Sequence, residues 1–127
     1  MGGPAGTLQG VTPTLGRFGG GASLTGEQAW VDITRKAAPA PQTGLTVECW
    51  AKFPSRAQGD LICRNSAYMM RLSGGLQAYI GIDGSWRKVV GSRPVPIGRW
   101  VHLAMTYDQT TREVRIYLDG RLDVAGK

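Results

Sequence analysis

In the stretch 45–53, "LTVECWAKF", Leu45, Val47, Cys49, Ala51 and Phe53 fall on one side of a two-residue period and Thr46, Glu48, Trp50 and Lys52 on the other. That alternation predicts a β-strand with one buried face. The stretch 99–107, "RWVHLAMTY", repeats it with Val101, Leu103, Met105 and Tyr107 against Trp100, His102, Ala104 and Thr106. Both sets are largely apolar, so this strand is expected to be central and covered, or to line a curved sheet whose second face is only partly wet. Its partner "EVRIYL" (113–118) turns Val114, Ile116 and Leu118 inward and Glu113, Arg115 and Tyr117 outward. Trp100, Leu103, Met105, Ile116 and Leu118 are the core residues this hairpin predicts.

Further short strands are predicted in "ASL", "AWVDI", "DLICRN", "YMMRLS", "LQAYIGI", "WRKVVGS" and "RLDVA", separated by "TGEQ", "SA", "GG", "DGS", "RPVPIG", "DQTTR" and "DG". These separators are turn chemistry, and "RKAAPAPQTG" is a loop because proline neither donates to a ladder nor continues a helix. No segment holds helical periodicity beyond two turns, and no internal repeat is visible. About ten short strands at this spacing predict an all-β antiparallel sandwich or barrel. Residues 1–21 read as a Gly/Pro-rich lead-in whose "TLQGV" forms a short first strand, and 22–127 as the folded domain.

With 127 residues, 42% of them hydrophobic, the chain suits one domain burying roughly two-thirds of its unfolded surface. Fifteen Lys and Arg against nine acids give +6, yet the cations form no block of like charge, which argues against a dedicated nucleic-acid site. No apolar run approaches the ~18 residues of a membrane span. "MGGPAGTLQG" lacks the features of a signal peptide and looks like a linker, as in a piece of a longer secreted protein. The spacing of Cys49 and Cys63 fits no zinc or redox motif. If 45–53 paired antiparallel with 60–65 through "PSRAQ", the two would fall nearly opposite each other and a cross-strand disulfide would be within reach, though directly opposed Cβ atoms stand farther apart than a disulfide prefers. Two buried free thiols is the other outcome.

The strings "GRFGGGASLTGEQAWVDI", "LTVECWAKF", "DLICRNSAYMMRLSGGLQAYI" and "IGRWVHLAMTYDQTTREVRIYLDGRLD" together resemble the laminin-G-like domain of the concanavalin A-like lectin/glucanase superfamily. The resemblance runs from about Gly16 to Asp123 and rests on the order and spacing of the pieces. It implies an antiparallel jelly-roll β-sandwich. Members of that family typically continue for several tens of residues after the "DG" hairpin, so the resemblance also implies a sandwich lacking its final strands. An open sheet edge that invites self-association or a partner's strand would follow.

Catalytic relatives place acids on alternate positions of one strand, facing across a cleft. No D-x-E or E-x-D-x-x-E occurs in the chain, and no phosphate-binding glycine loop. His102, the one histidine, stands where the family carries a structural histidine in "WxHxA". The expectation is a non-enzyme. Asp32, Asp83, Asp108 and Asp119 leave room for calcium, which some relatives bind, but without the spacing of a dedicated loop; otherwise no cofactor is expected. Trp30, Trp50 and Trp100 match aromatic strand positions of the family, for which core packing is expected. Trp86 follows the turn "IDGS" and is the candidate ligand platform, with Tyr79, Tyr68, Arg64, Arg71 and Arg87 around it, together with Gln77 and Lys88. If the cations Arg64, Arg71, Arg87 and Lys88 share the Trp86 face, an acidic glycan is favoured. The function expected is a secreted or extracellular binding module for glycan, or next for a protein partner. The alternative is a structural subunit of a fibre, virion or cell-surface assembly.

Overall fold

The structure, a computed structural model, describes residues 6–25, 28–33 and 43–127. They form twelve strands and no helix: β1 (Gly6–Gln9), β2 (Val11–Leu15), β3 (Gly20–Leu24), β4 (Trp30–Ile33), β5 (Gly44–Lys52), β6 (Gln58–Arg64), β7 (Tyr68–Ser73), β8 (Gly75–Ile82), β9 (Ser85–Pro94), β10 (Trp100–Asp108), β11 (Glu113–Leu118) and β12 (Arg121–Gly126). The chain divides into two compact units, Met1–Ala40 and Pro41–Lys127.

In the first unit β1 pairs with β4 and β2 with β3, both antiparallel. The lead-in is therefore built of strands over much of its length. The single strand expected at "TLQGV" is split by Gly10, whose φ of +60° breaks the extended run. Pro13 is accommodated because a two-stranded ribbon leaves each strand one free edge. The turn "TGEQ" and the proline-interrupted loop fall, apart from Thr25, Gln28, Thr43 and Gly44, outside the described residues.

The second unit is a sandwich of two four-stranded antiparallel sheets. Sheet 1 has the order β12-β11-β10-β5, and sheet 2 the order β6-β7-β8-β9. Each strand sends every second side chain inward. Across sheet 1, one such row is Val47, Met105, Ile116 and Val124; across sheet 2, Met70, Ala78 and Val89 form another. Met70, Leu76, Val101, Leu103, Met105, Val114 and Ile116 are fully buried between the sheets. At about 1.5–3 kcal/mol for each large apolar side chain, this layer is the main driving force of the fold.

Leu103, Met105, Ile116 and Leu118 lie in the core, as the alternation predicts. Trp100 does not. It shares the outward parity of His102, so its indole is half-buried on the outer face of sheet 1. Trp30 and Trp50, expected to pack inside, are exposed as well. For all three the expectation of core packing rested on the match to aromatic strand positions of the family, and for Trp50 and Trp100 strand parity decides against it.

Two turns fix the register of the hairpins nearest the candidate site. Asp83 (φ +49°) and Gly84 (φ +76°) join β8 to β9, and Asp119 (φ +50°) and Gly120 (φ +74°) join β11 to β12. Two successive left-handed residues define a type I′ turn, whose twist matches that of the strands, and Asp-Gly supplies them at least cost. Asp119 is fastened further: its Oδ1 accepts from the His102 N–H (3.0 Å) and its Oδ2 from Arg99 (2.9 Å). Arg99 first, and the His102 N–H with it, hold the Asp119 carboxyl below the ordinary carboxylate range.

The strand pairing that would bring the cysteines together is not made. β5 pairs with β10, setting Cys49 opposite Leu103, and β6 pairs with β7, setting Cys63 opposite Met69. The two lie in different sheets as free thiols, Cys49 half-buried and Cys63 exposed. A hairpin across "PSRAQ" was inferred from proximity in sequence, whereas here that connection crosses from one sheet to the other.

Candidate functional site

Strand parity sorts the candidate residues onto two faces of sheet 2. Tyr79, opposite Lys88, and Trp86, opposite Gly81, point outward, as do Gln77 and Arg71, which are opposite each other. The cross-strand row Arg64, Tyr68, Ile80 and Arg87 has the other parity. Tyr68 packs against the core, and Ile80 is 3% exposed. Thus Trp86 and Tyr79 are brought together and Arg71 shares their face two rows away, whereas Tyr68, Arg64 and Arg87 belong to the inward row and its ends. This corrects the grouping of four cations: only Arg71 and Lys88 share the Trp86 face.

The outward face has a definite construction. Trp86 is 47% exposed. Its ring meets that of Tyr79 edge-on, with centroids 6.2 Å apart and planes at 89°, a favoured arrangement for aromatic quadrupoles. Lys88 places its Nζ 5.5 Å from the Tyr79 ring centroid, within cation–π range. The Tyr79 hydroxyl donates to Gln77 Oε1 at 3.0 Å. One row further along the sheet, Arg71 and Asp60 stand 3.5 Å apart, both half-exposed.

Gly81, opposite Trp86, is required by the β6–β7 turn. A Cβ there would collide with the Ser66 carbonyl oxygen. The β6–β7 turn, with Ser66 at φ +66°, closes on this point through a Gly81 N–H to Ala67 O bond of 2.8 Å. The position opposite Trp86 is therefore a bare backbone covered by the β6–β7 turn, and the neighbour the indole meets on this face is the Tyr79 ring.

The four aspartates proposed for calcium occupy separate elements. Asp32 lies in β4, Asp83 and Asp119 open two turns, and Asp108 Oδ1 accepts from the Thr110 and Thr111 N–H groups at 2.8 and 3.1 Å. Among the described residues no three His, Cys, Asp or Glu side chains converge as a metal site would require. On the outer face of sheet 1, His102 Nε2 lies 3.6 Å from Glu48 Oε2, an ion pair when the imidazole is protonated, and its ring tilts against Trp50 at 5.2 Å.

One important carboxylate went unnoticed in the sequence. Asp123 on β12 reaches across to β9, accepting from Ser92 N (2.9 Å), Ser92 Oγ (2.6 Å), Arg93 Nε (3.1 Å) and, at longer range, Arg93 N (3.4 Å). Its side chain is 1% exposed. Burial works against its charge, but the hydrogen bonds from Ser92 and Arg93 together outweigh that and hold the carboxyl below the ordinary range. Asp123 thereby ties the edge of sheet 1 to that of sheet 2. No sequence signal pointed to it, because the bond joins positions some thirty residues apart.

The second unit is an all-β antiparallel sandwich with polar and aromatic side chains on its outer faces, an architecture that hosts many unrelated functions. Residues 25–126 match a laminin G family within the concanavalin A-like lectin/glucanases superfamily, and the chain belongs to that superfamily. Among solved structures it is similar to one described as a "putative carbohydrate binding protein" from Bacteroides ovatus. The TM-score is 0.58 with 15% sequence identity over 98% of this chain, which establishes likeness of fold. The chain spans about a third (32%) of the length of that protein. Comparison with curated protein sequences finds no match.

Proposed function

We propose that this chain is a non-catalytic, extracellular carbohydrate-recognition module, and that it binds glycan on the outer face of sheet 2 with Trp86 as the stacking platform. The observation that carries the reading is an exposed indole standing edge-on to Tyr79, with Lys88 and Gln77 fixed around the same ring. The apolar face of a pyranose packs against an indole, while neighbouring polar groups read its hydroxyls. Here Lys88 and the Tyr79 hydroxyl lie beside Trp86, and the Arg71–Asp60 pair supplies further donors and acceptors two along-strand steps of about 7 Å each and two to three strand spacings of about 4.8 Å away. That length suits an oligosaccharide chain rather than a single ring. Membership of a superfamily that contains lectins supports the reading, as does the name given to the structural neighbour.

The test is a glycan array followed by titration calorimetry on the best ligands. Trp86→Ala should weaken binding by about tenfold or more, about 1.4 kcal/mol, while circular dichroism and the unfolding midpoint stay at wild-type values. Unchanged glycan binding by Trp86→Ala would reject the site. Ordered self-assembly without any glycan response would reject the function.

A further inference from the structure

The outer face of sheet 1 carries a second feature, independent of Trp86. One cross-strand row there runs Thr46, Thr106, Arg115. The two threonines are short and the flanking residues Tyr117, Arg115 and Glu113 are tall, so the face sinks into an open depression of about 540 Å³, closed at one end by the β10–β11 turn at Thr111. This falls within the ~300–1,000 Å³ typical of small-molecule sites. Arg115 is held in place by the pairing of its Nε with Glu113 Oε1. A guanidinium fixed in this way loses little freedom when it donates its remaining N–H groups to a ligand.

We infer that this depression is a second carbohydrate-contact site, selective for a neutral, hydroxyl-rich sugar. The chemistry of the lining sets the class. Three threonine hydroxyls and a phenol each donate and accept, matching the paired donor and acceptor character of sugar hydroxyls. The charge of Arg115 is met by Glu113, and the Asp108 carboxylate at the same rim adds a negative charge. An anionic glycan would therefore be repelled, and an uncharged pyranose is the ligand that spends these hydrogen bonds without an unpaired charge. The two sites lie on the opposed outer faces of one sandwich, so the module would grip two glycan segments at once and gain avidity on a polysaccharide surface.

The experiment is amide chemical-shift mapping of the full chain against neutral hexasaccharides of β-1,4-glucan, xylan, mannan and galactan, repeated in Trp86→Ala. The expected result is that at least one of them shifts the amides of Thr46, Thr106, Thr111 and Arg115, and still does so in Trp86→Ala. Thr106→Tyr, which fills the floor from the solvent side, and Arg115→Gln, which removes the guanidinium fork and its charge, should each weaken that response by about tenfold or more. Shifts confined to Met69, Gln77, Tyr79 and Lys88 would overturn this inference and leave the Trp86 reading standing. Shifts confined to the depression would do the reverse. A response in the depression that is untouched by both Thr106→Tyr and Arg115→Gln, or no response on either face, would overturn it too.

Discussion

Removing the Asp123 carboxylate should loosen the sandwich at the seam between its two sheets. In Asp123→Ala the Ser92 N–H and hydroxyl lose their acceptor, and the Arg93 guanidinium loses its only carboxylate partner among the described residues. Hydrogen bonds to a charged group contribute about 1.5–3 kcal/mol each. They are not additive here, because water can reach the donors left behind. Arg93 is 44% exposed and will recover much of its hydration, so its share is close to the ~0–1 kcal/mol of a surface pair. The two Ser92 bonds and the small cavity carry the rest. The expected cost is about 2–4 kcal/mol, a large part of the roughly 5–15 kcal/mol that holds a domain folded. Asp123→Asn keeps the shape and one acceptor oxygen but turns an amide toward Ser92, and should fall between wild type and Asp123→Ala.

Acid provides the diagnostic. The Asp123 carboxyl is held below its unfolded value, so its stabilising contribution is fully present above the unfolded carboxylate pKa of about 3.9. That contribution is lost as pH falls through the lower folded pKa. Urea unfolding followed by tryptophan fluorescence should show a difference between wild type and Asp123→Asn that is constant near neutrality and shrinks progressively below about pH 4. A difference that stays constant into strong acid, or an Asp123→Ala variant with the wild-type midpoint and slope, would refute the argument that this carboxylate fastens the seam.

Gly91→Ala attacks the same seam from β9: a Cβ there would stand 2.7 Å from Asp123 Oδ2 and 2.8 Å from the Leu76 carbonyl, so a marked loss of thermal stability or of soluble expression is expected. Met105→Ala, at a fully buried position between Val47 and Ile116, should cost about 2–5 kcal/mol in urea unfolding, and Trp100→Ala on the half-wet outer face distinctly less. Purified protein should release no reducing sugar from β-glucans, galactans or sulfated polysaccharides, since the sequence holds no alternating acid pair, and release that disappears on substituting one acid would count against the binding reading. Glycan binding at the Trp86 face should respond only weakly to salt, because just Arg71, paired with Asp60, and Lys88 stand there; a steep loss between low and physiological ionic strength would restore an acidic ligand.

Apart from β2 (Val11–Leu15), the strands were legible to within a residue or two from period-two alternation, and both Asp-Gly turns from their dipeptides, because these depend on neighbours along the chain. What alternation delivers is a parity for each strand. Parity becomes a face only when the strand's partners are known. For "LTVECWAKF" the parity was right, yet its partner is β10 and not β6, and the whole difference between a disulfide and two separated thiols lies in that choice. The same holds for the candidate site. Arg87 and Lys88 are adjacent in sequence and therefore had to point to opposite sides of β9, so they could not both serve the Trp86 face. Local logic alone contains that correction, because cations flanking a tryptophan on one strand sort by parity and not by proximity. The depression and the Asp123 seam were beyond such logic. Each is assembled from strands whose adjacency is set by the packing of the two sheets, with Thr46, Thr106 and Arg115 drawn from three strands and Asp123 reaching β9 from β12. A sequence pattern written in pairs two residues apart carries no information about which fourth or seventh strand will lie beside it. The chemistry of this sandwich is concentrated in those non-local junctions.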